Sequence, residues 1–152
     1  MDGKKMKFQM NIKKLRSDAI IPTYGSACSA GADLYACEDN AVSIGVGQTV
    51  LIHTGIAMAI PEGYVGLVYA RSGLATKKGL APANKVGVID SDYRGEIMVA
   101  LHNHGSVPQT VESGERIAQI VFTPYAAAEF LAVDELDVTE RGEGGFGSTG
   151  RK

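Results

Sequence analysis

The chain is predicted to be an all-β protein, and three observations carry that prediction. Apolar and polar residues alternate with a period of two through most of its length. The alternating runs are short, and Gly, Pro, Asn and Asp, the residues of tight turns, separate them. The 19 glycines among 152 residues supply those turns, or backbone that must approach a ligand closely. A sandwich or barrel of antiparallel strands is the architecture that follows.

Taken in order, Phe8, Met10 and Ile12 share one face, with Gln9, Asn11 and Lys13 on the other. Val50, Ile52, Ile56, Met58 and Ile60 continue the pattern over a long strand or a bent pair. Val65, Leu67 and Tyr69 follow, then Ile97, Val99 and Leu101, then Ile117, Gln119 and Val121. One stretch departs from this period. Ser72–Gly79 reads as a short helix, with Ser72 as N-cap, Lys77 and Lys78 in the last turn and Gly79 ending it. The segment 126–136 is read as a strand in preference to a short helix. From Arg141 onward the composition changes: five glycines and one aromatic residue lie between Arg141 and Gly150. Such a segment buries too little to order itself. The division expected is a β domain over 1–140 and a flexible Gly-rich C-terminal arm over 141–152.

Composition narrows the function. A net charge of −2 without a broad basic face argues against a nucleic-acid partner. No apolar run reaches ~18 residues, so no membrane span is expected, and the alternating N-terminus does not read as a secretory signal. Cys28 and Cys37 fit neither a redox pair nor a zinc knuckle and are read as reduced thiols of a cytoplasmic protein.

Five segments carry candidate chemistry. In Val88–Glu96, Asp90-Ser91-Asp92 is expected at the tip of a hairpin between 86–89 and 96–101. Turn chemistry alone accounts for Asp and Ser there, but it does not call for Tyr93 and Arg94 directly afterwards. A carboxylate and an aromatic ring on one tip suit a sugar face and an activated water. In Ser29–Ala36, small residues lead to Asp33, either a turn residue or an acceptor for the hydration shell of Mg²⁺. Arg71-Ser72-Gly73 is either a simple cap or an anion site made of helix-start amides, a hydroxyl and a guanidinium. Gln119, on an otherwise apolar face, is a satisfied amide or a ligand contact. The arm offers Arg141 as a phosphate cation, Phe146 as a stacking surface and Ser148 and Thr149 as hydroxyls. His102 and His104 lack a third ligand for zinc, and His53 has no chemical context in the sequence.

Together, Ala30–Ala36, Arg71–Leu74, Gly87–Ile97, Gly114–Ile120 and Arg141–Gly150 resemble, in order, the five motifs of the trimeric deoxyuridine triphosphate nucleotidohydrolase (dUTPase) family. Departures are the extension before Met6 and Tyr35, where many members carry Arg. The resemblance implies a jelly-roll-like, distorted β-barrel subunit in a homotrimer whose active sites are shared between chains. It implies hydrolysis of dUTP to dUMP and pyrophosphate with Mg²⁺, which limits uracil incorporation into DNA and supplies dUMP for thymidylate synthesis.

On that resemblance, Asp90 activates the water that attacks the α-phosphorus and Tyr93 packs on the deoxyribose. Asn84 and the backbone of Gly87, Val88, Ile89 and Met98 read the uracil edge. Arg71, Ser72, Gly73 and Gln119 hold the phosphates, and Asp33 grips waters of the Mg²⁺. Arg141, Ser148 and Thr149 contact the γ-phosphate while Phe146 stacks on uracil, and Gly147 also belongs to the substrate-binding set. Two rivals remain open at this stage: a dCTP deaminase of the same fold, and a β module that binds nucleotide without turning it over.

Overall fold

The computed structural model describes residues 8–145. Twelve strands follow one another: β1 (Asn11–Lys14), β2 (Thr23–Tyr24), β3 (Ala32–Tyr35), β4 (Val42–Ile44), β5 (Thr49–His53), β6 (Ile56–Ala59), β7 (Tyr64–Tyr69), β8 (Leu80–Pro82), β9 (Gly87–Ile89), β10 (Met98–Asn103), β11 (Gln109–Val111) and β12 (Arg116–Pro124). One π-helical turn, Leu74–Lys78, interrupts them. The all-β expectation with one short helix is borne out. No helix among the described residues is long and apolar enough to cross a membrane.

All strand pairs are antiparallel. A five-stranded sheet runs β2-β3-β12-β7-β9 and a three-stranded sheet runs β5-β10-β8, with two-stranded ribbons β1-β6 and β4-β11 beside them. Their inner faces meet in one core. Leu34, Val68, Ala118 and Ile120 come from the larger sheet, Ile52, Leu80, Val99 and Leu101 from the smaller, and Ile44, Ile56 and Val111 from the ribbons. Each fully buried Leu or Ile contributes roughly 1.5–3 kcal/mol through loss of apolar surface from water.

Asn103, at the end of β10, is also fully buried. Its Nδ2 donates to the carbonyls of Ile44 (3.0 Å) and Val107 (2.9 Å), and its Oδ1 accepts from the Gly105 amide (2.9 Å). One side chain thus ties three segments together without leaving a polar group unpaired.

Four sequence expectations need correction. The Asp90 segment is not a hairpin tip: β9 pairs with β7, whereas β10 pairs with β5 and β8, so residues 90–97 cross from one sheet to the other. Ser72 does not cap the helical turn. Gly73 occupies the cap position with no side-chain bond, and the Ser72 carbonyl accepts instead from Thr76 Oγ1 (2.7 Å). Gly79 ends the turn as expected, with φ 69° and its amide donating to the Leu74 carbonyl. Residues 126–136 form no strand; the chain leaves the sheet after Pro124, and Phe130, Leu131 and Leu136 lie exposed.

The fourth correction concerns phase. Val65, Leu67 and Tyr69 are the outer, half-exposed side of β7, and Gly66 and Val68 face the core. A Cβ on Gly66 would lie 2.9 Å from Ile60 Cδ1 and 3.0 Å from Ile120 Cδ1, so a side chain inside would have to displace the ends of those two core residues. In β12 a bulge between Arg116 and Ala118 inserts one residue. Ile117 is therefore buried while Gln119 and Val121 face outward, not together with it.

Candidate active site

The outer face of the five-stranded sheet builds the first part of the site. Residues directly opposite across antiparallel strands share a face. Asp33 on β3 stands opposite Gln119 on β12, which stands opposite Tyr69 on β7. The three therefore line one side of a cleft of about 960 Å³, whose wall also includes Ser29, Gly31, Tyr35, Arg71, Ser72, Gly73, Lys77, Lys78, Glu115 and Arg116.

Charge in this cleft is organised around Asp33. Arg71 Nε donates to its Oδ1 at 2.7 Å, and Arg116 Nη1 reaches its Oδ2 at 3.3 Å. The Asp33 side chain is 13% exposed, so Arg71 and Arg116 offset the cost of its burial. Lys78 pairs more loosely with Glu115 at 3.4 Å. Four cationic side chains thus face two carboxylates, which leaves the cleft positive in a chain of net charge −2. Phosphate oxygens suit such a wall.

Gln119 is held for use. Its Nε2 donates to the Ala70 carbonyl at 2.9 Å, which leaves its oxygen turned toward Gly31. A Cβ on Gly31 would stand 3.1 Å from Gln119 Cδ, so glycine there is what lets the amide lie across the cleft floor. Ser72, not engaged in capping, and Gly73 open the helical turn at the cleft mouth.

The second part of the site lies elsewhere. Gly87, Val88 and Ile89 form the edge strand β9, and Val88 is 61% exposed. Asn84 lies exposed in the turn before it, where Lys85 adopts φ 65°, the one left-handed non-glycine among the described residues. A Cβ on Gly87 would sit 3.2 Å from Val68 Cβ, so glycine there eases the pairing of β9 on β7. Asp90 is exposed on the loop that follows, and Met98 opens β10 opposite His53. None of these residues lines the cleft that holds Asp33, Arg71 and Gln119. Arg141 is outside it as well, and its Nε donates to the Gly144 carbonyl at 2.8 Å. Phe146, Gly147, Ser148 and Thr149 lie outside the described residues.

Sequence reasoning missed two charged features. Arg116 is one: it stands opposite Tyr35 in the ladder, and only the strand register brings it to Asp33. The other is His53, whose Nδ1 lies 3.0 Å from Glu96 Oε2. The hydrogen bond to Glu96 raises the His53 pKa above its ordinary value, against the effect of burial. Burial opposes the charge on Glu96, but the bonds from His53 and Gly55 outweigh it and hold its carboxyl below the usual range. His102 binds Thr49 Oγ1 (3.0 Å), and His104 lies beyond the end of β10, so the two do not form a pair on one strand. Among the described residues no group of three or more His, Cys, Asp and Glu side chains stands ready to hold a metal ion.

Comparison with known proteins shows the family. Residues 17–150 match the dUTPase family. The deoxyuridine 5'-triphosphate nucleotidohydrolase of Desulfitobacterium hafniense is 56% identical over 131 residues, covering 86% of this chain and 87% of its own. That of Acinetobacter baylyi is 48% identical over 97% of this chain and all of its own length. Among solved structures, the Staphylococcus bacteriophage 80alpha dUTPase with dUPNHPP superposes with a TM-score of 0.88 at 31% identity, covering 95% of this chain and 99% of that one. The chain belongs to the dUTPase family.

Proposed function

We infer that this protein hydrolyses dUTP to dUMP and pyrophosphate, in active sites assembled from more than one copy of the chain. Family membership over nearly the whole length supports the reaction, and the relatives named above are nucleotidohydrolases rather than deaminases. The observation that carries the shared site is the separation of its parts. Phosphate-holding candidates Arg71, Ser72, Gly73 and Gln119 line one cleft, and Asp90, Tyr93 and β9 lie apart from it. A homotrimer brings the two parts together. The half-exposed apolar row Val65, Leu67 and Val121 on the outer sheet face, with Val88 beside it, supplies a surface for such contact.

Within that assembly Asp90 orients and deprotonates the water that attacks the α-phosphorus, and the pyrophosphate leaves on the far side. Tyr93 packs on the deoxyribose, where a 2′-hydroxyl has no room. Asn84 and the backbone of Gly87, Val88, Ile89 and Met98 read the uracil edge, a device that discriminates strongly because a wrong base leaves buried polar groups unpaired. Arg71, Ser72, Gly73 and Gln119 hold the phosphate chain. The arm, with Arg141, Phe146, Gly147, Ser148 and Thr149, closes over the nucleotide and excludes water.

The Asp33 carboxylate, set among the cations of the cleft, fits Mg²⁺ carried on the phosphates rather than held in a cage of protein ligands. Asp33 would hold it through water, and the ion would offset phosphate charge. The protein acts in the cytoplasm, where Cys28 and Cys37 remain thiols and where removal of dUTP limits uracil in DNA while yielding dUMP.

Mixing two inactive variants tests the shared site. Asp90→Asn and Arg71→Ala chains, each without turnover in a pyrophosphate-release assay with dUTP, regain about a quarter of wild-type activity when equal amounts reassemble at random. A mixture as inactive as its components overturns the shared site. Ammonia release from dCTP would overturn the hydrolase reading itself.

A further inference from the structure

Residues 90–97 leave the edge of one sheet and enter another, so no strand ladder holds them in place. What fixes Tyr93 is a short relay of contacts outside the cleft. Its hydroxyl donates to the Glu96 carbonyl at 2.9 Å. Its ring lies over Gly95, where a Cβ would stand 2.6 Å from Tyr93 Cζ and 3.0 Å from Cε2. The Glu96 side chain then reaches the opposite way. Oε1 accepts from the Gly55 amide at 2.8 Å, and Oε2 meets His53 Nδ1 at 3.0 Å. His53 is itself secured at the end of β5, its amide donating to Glu38 Oε1 at 2.7 Å.

We propose that Glu96, anchored by His53 and the Gly55 turn, is a positioning residue that sets where the Tyr93 ring stands and so how strictly a ribose is refused. The proposal rests on the reading of Tyr93 as the residue that packs on the sugar. Refusing one extra hydroxyl by contact alone requires a wall that does not yield. A tyrosine ring swings about two side-chain torsions unless its far end is tied. Here the tie runs to the Glu96 backbone carbonyl, whose peptide is held on one side by the Ile97 amide, donating to the Ile56 carbonyl at 2.9 Å, and on the other by the anchored Glu96 side chain. Without the Glu96 anchor, the loop keeps the bonds of Ile97 to Ile56 and Thr54 at its far end, and its internal bonds, Tyr93 amide to Asp90 carbonyl (3.2 Å) and Arg94 Nη1 to the Ser91 (2.6 Å) and Tyr93 (3.0 Å) carbonyls. None of these reaches the ring.

The test compares kcat/KM for dUTP and for UTP, by pyrophosphate release, in the full-length wild type and in Glu96→Ala, Glu96→Gln, His53→Ala and Tyr93→Ala. The dUTP/UTP ratio falls about tenfold in Glu96→Ala, with an absolute gain in UTP turnover that a general folding defect does not produce. Glu96→Gln keeps most of the ratio, because its amide oxygen still accepts from Gly55 and its NH₂ meets His53. His53→Ala, at a half-exposed side chain, lowers the ratio by a smaller factor and stands in if Glu96→Ala fails to fold. An unchanged ratio in both anchor variants, alongside a lowered ratio in Tyr93→Ala, overturns the positioning role. An unchanged ratio in Tyr93→Ala as well overturns the sugar-packing reading beneath it.

Discussion

Replacing Asp33 by Asn separates two roles that the cleft geometry assigns to one carboxylate. The Arg71 contact is short, at 2.7 Å, with side chains 27% and 13% exposed, whereas the Arg116 contact is 3.3 Å and Arg116 is 51% exposed. A charge-assisted bond of the first kind is worth about 1.5–3 kcal/mol, and a half-exposed pair at most ~1 kcal/mol. Asn keeps the shape but loses the charge and turns N–H toward one guanidinium. The loss is then about 2 kcal/mol, or roughly 4–8 °C in Tm for a domain of this length, readable by calorimetry. Binding moves the other way. With the negative charge gone and Arg71 released, a nonhydrolysable dUTP analogue in EDTA binds on the order of tenfold tighter. That follows from ~1.4 kcal/mol for unit charges roughly 6 Å apart in a wet cleft of effective dielectric about 40. With Mg²⁺ present the gain shrinks, because an amide holds metal-bound water less well than a carboxylate. Titration calorimetry with and without EDTA measures both arms. Weaker binding of the variant in EDTA refutes the reasoning, since Asp33 would then serve to aim Arg71 rather than to compete for it.

Two further predictions concern the scaffold. His53 has a raised folded pKa, so its contribution is complete below 6.5 and is lost as pH rises through the folded value; Glu96 has a lowered one, so its contribution is present above 4.5 and is lost as pH falls through its own. The stability difference between wild type and His53→Ala, read as a Tm difference, is therefore largest between pH 4.5 and 6.5 and fades as pH rises through the raised folded value, and it stays under ~1 kcal/mol because His53 is half exposed. A difference independent of pH rules the pair out. Asn103→Ala leaves the buried Ile44 carbonyl unpaired, loses the part-buried bonds to Val107 and Gly105, and costs about 2–4 kcal/mol in urea unfolding; a loss below ~1 kcal/mol would mean that water takes over those bonds.

The strand content was legible because alternation reports burial directly, and β10 shows it cleanly: Val99, Leu101 and Asn103 are inside in strict turn. The alternation of β7 was equally visible and pointed the wrong way. A pattern reader assigns bulk to the core, and Gly66 puts the empty position there. In β12 the bulge shifts the phase between Ile117 and Gln119, and no residue type in the sequence announces the extra insertion. The Asp90 segment carried turn residues that fit a hairpin, but pairing partners are set by sheet topology, which local composition does not encode. The candidate site residues were found as segments. Their division between a cleft and a separate edge strand became visible only in three dimensions, as did the part played by Arg116.

The glycine inside β7 has a consequence beyond packing. By leaving its inner side thin, the strand carries its bulk outward, on Val65, Leu67 and Tyr69. A lone chain therefore keeps a partly exposed apolar strip on that outer side, which its own fold leaves uncovered. Keeping the protein dispersed and keeping that surface covered become one requirement, so variants that strip the cover should first be noticed as a solubility defect, before any assay of turnover is run.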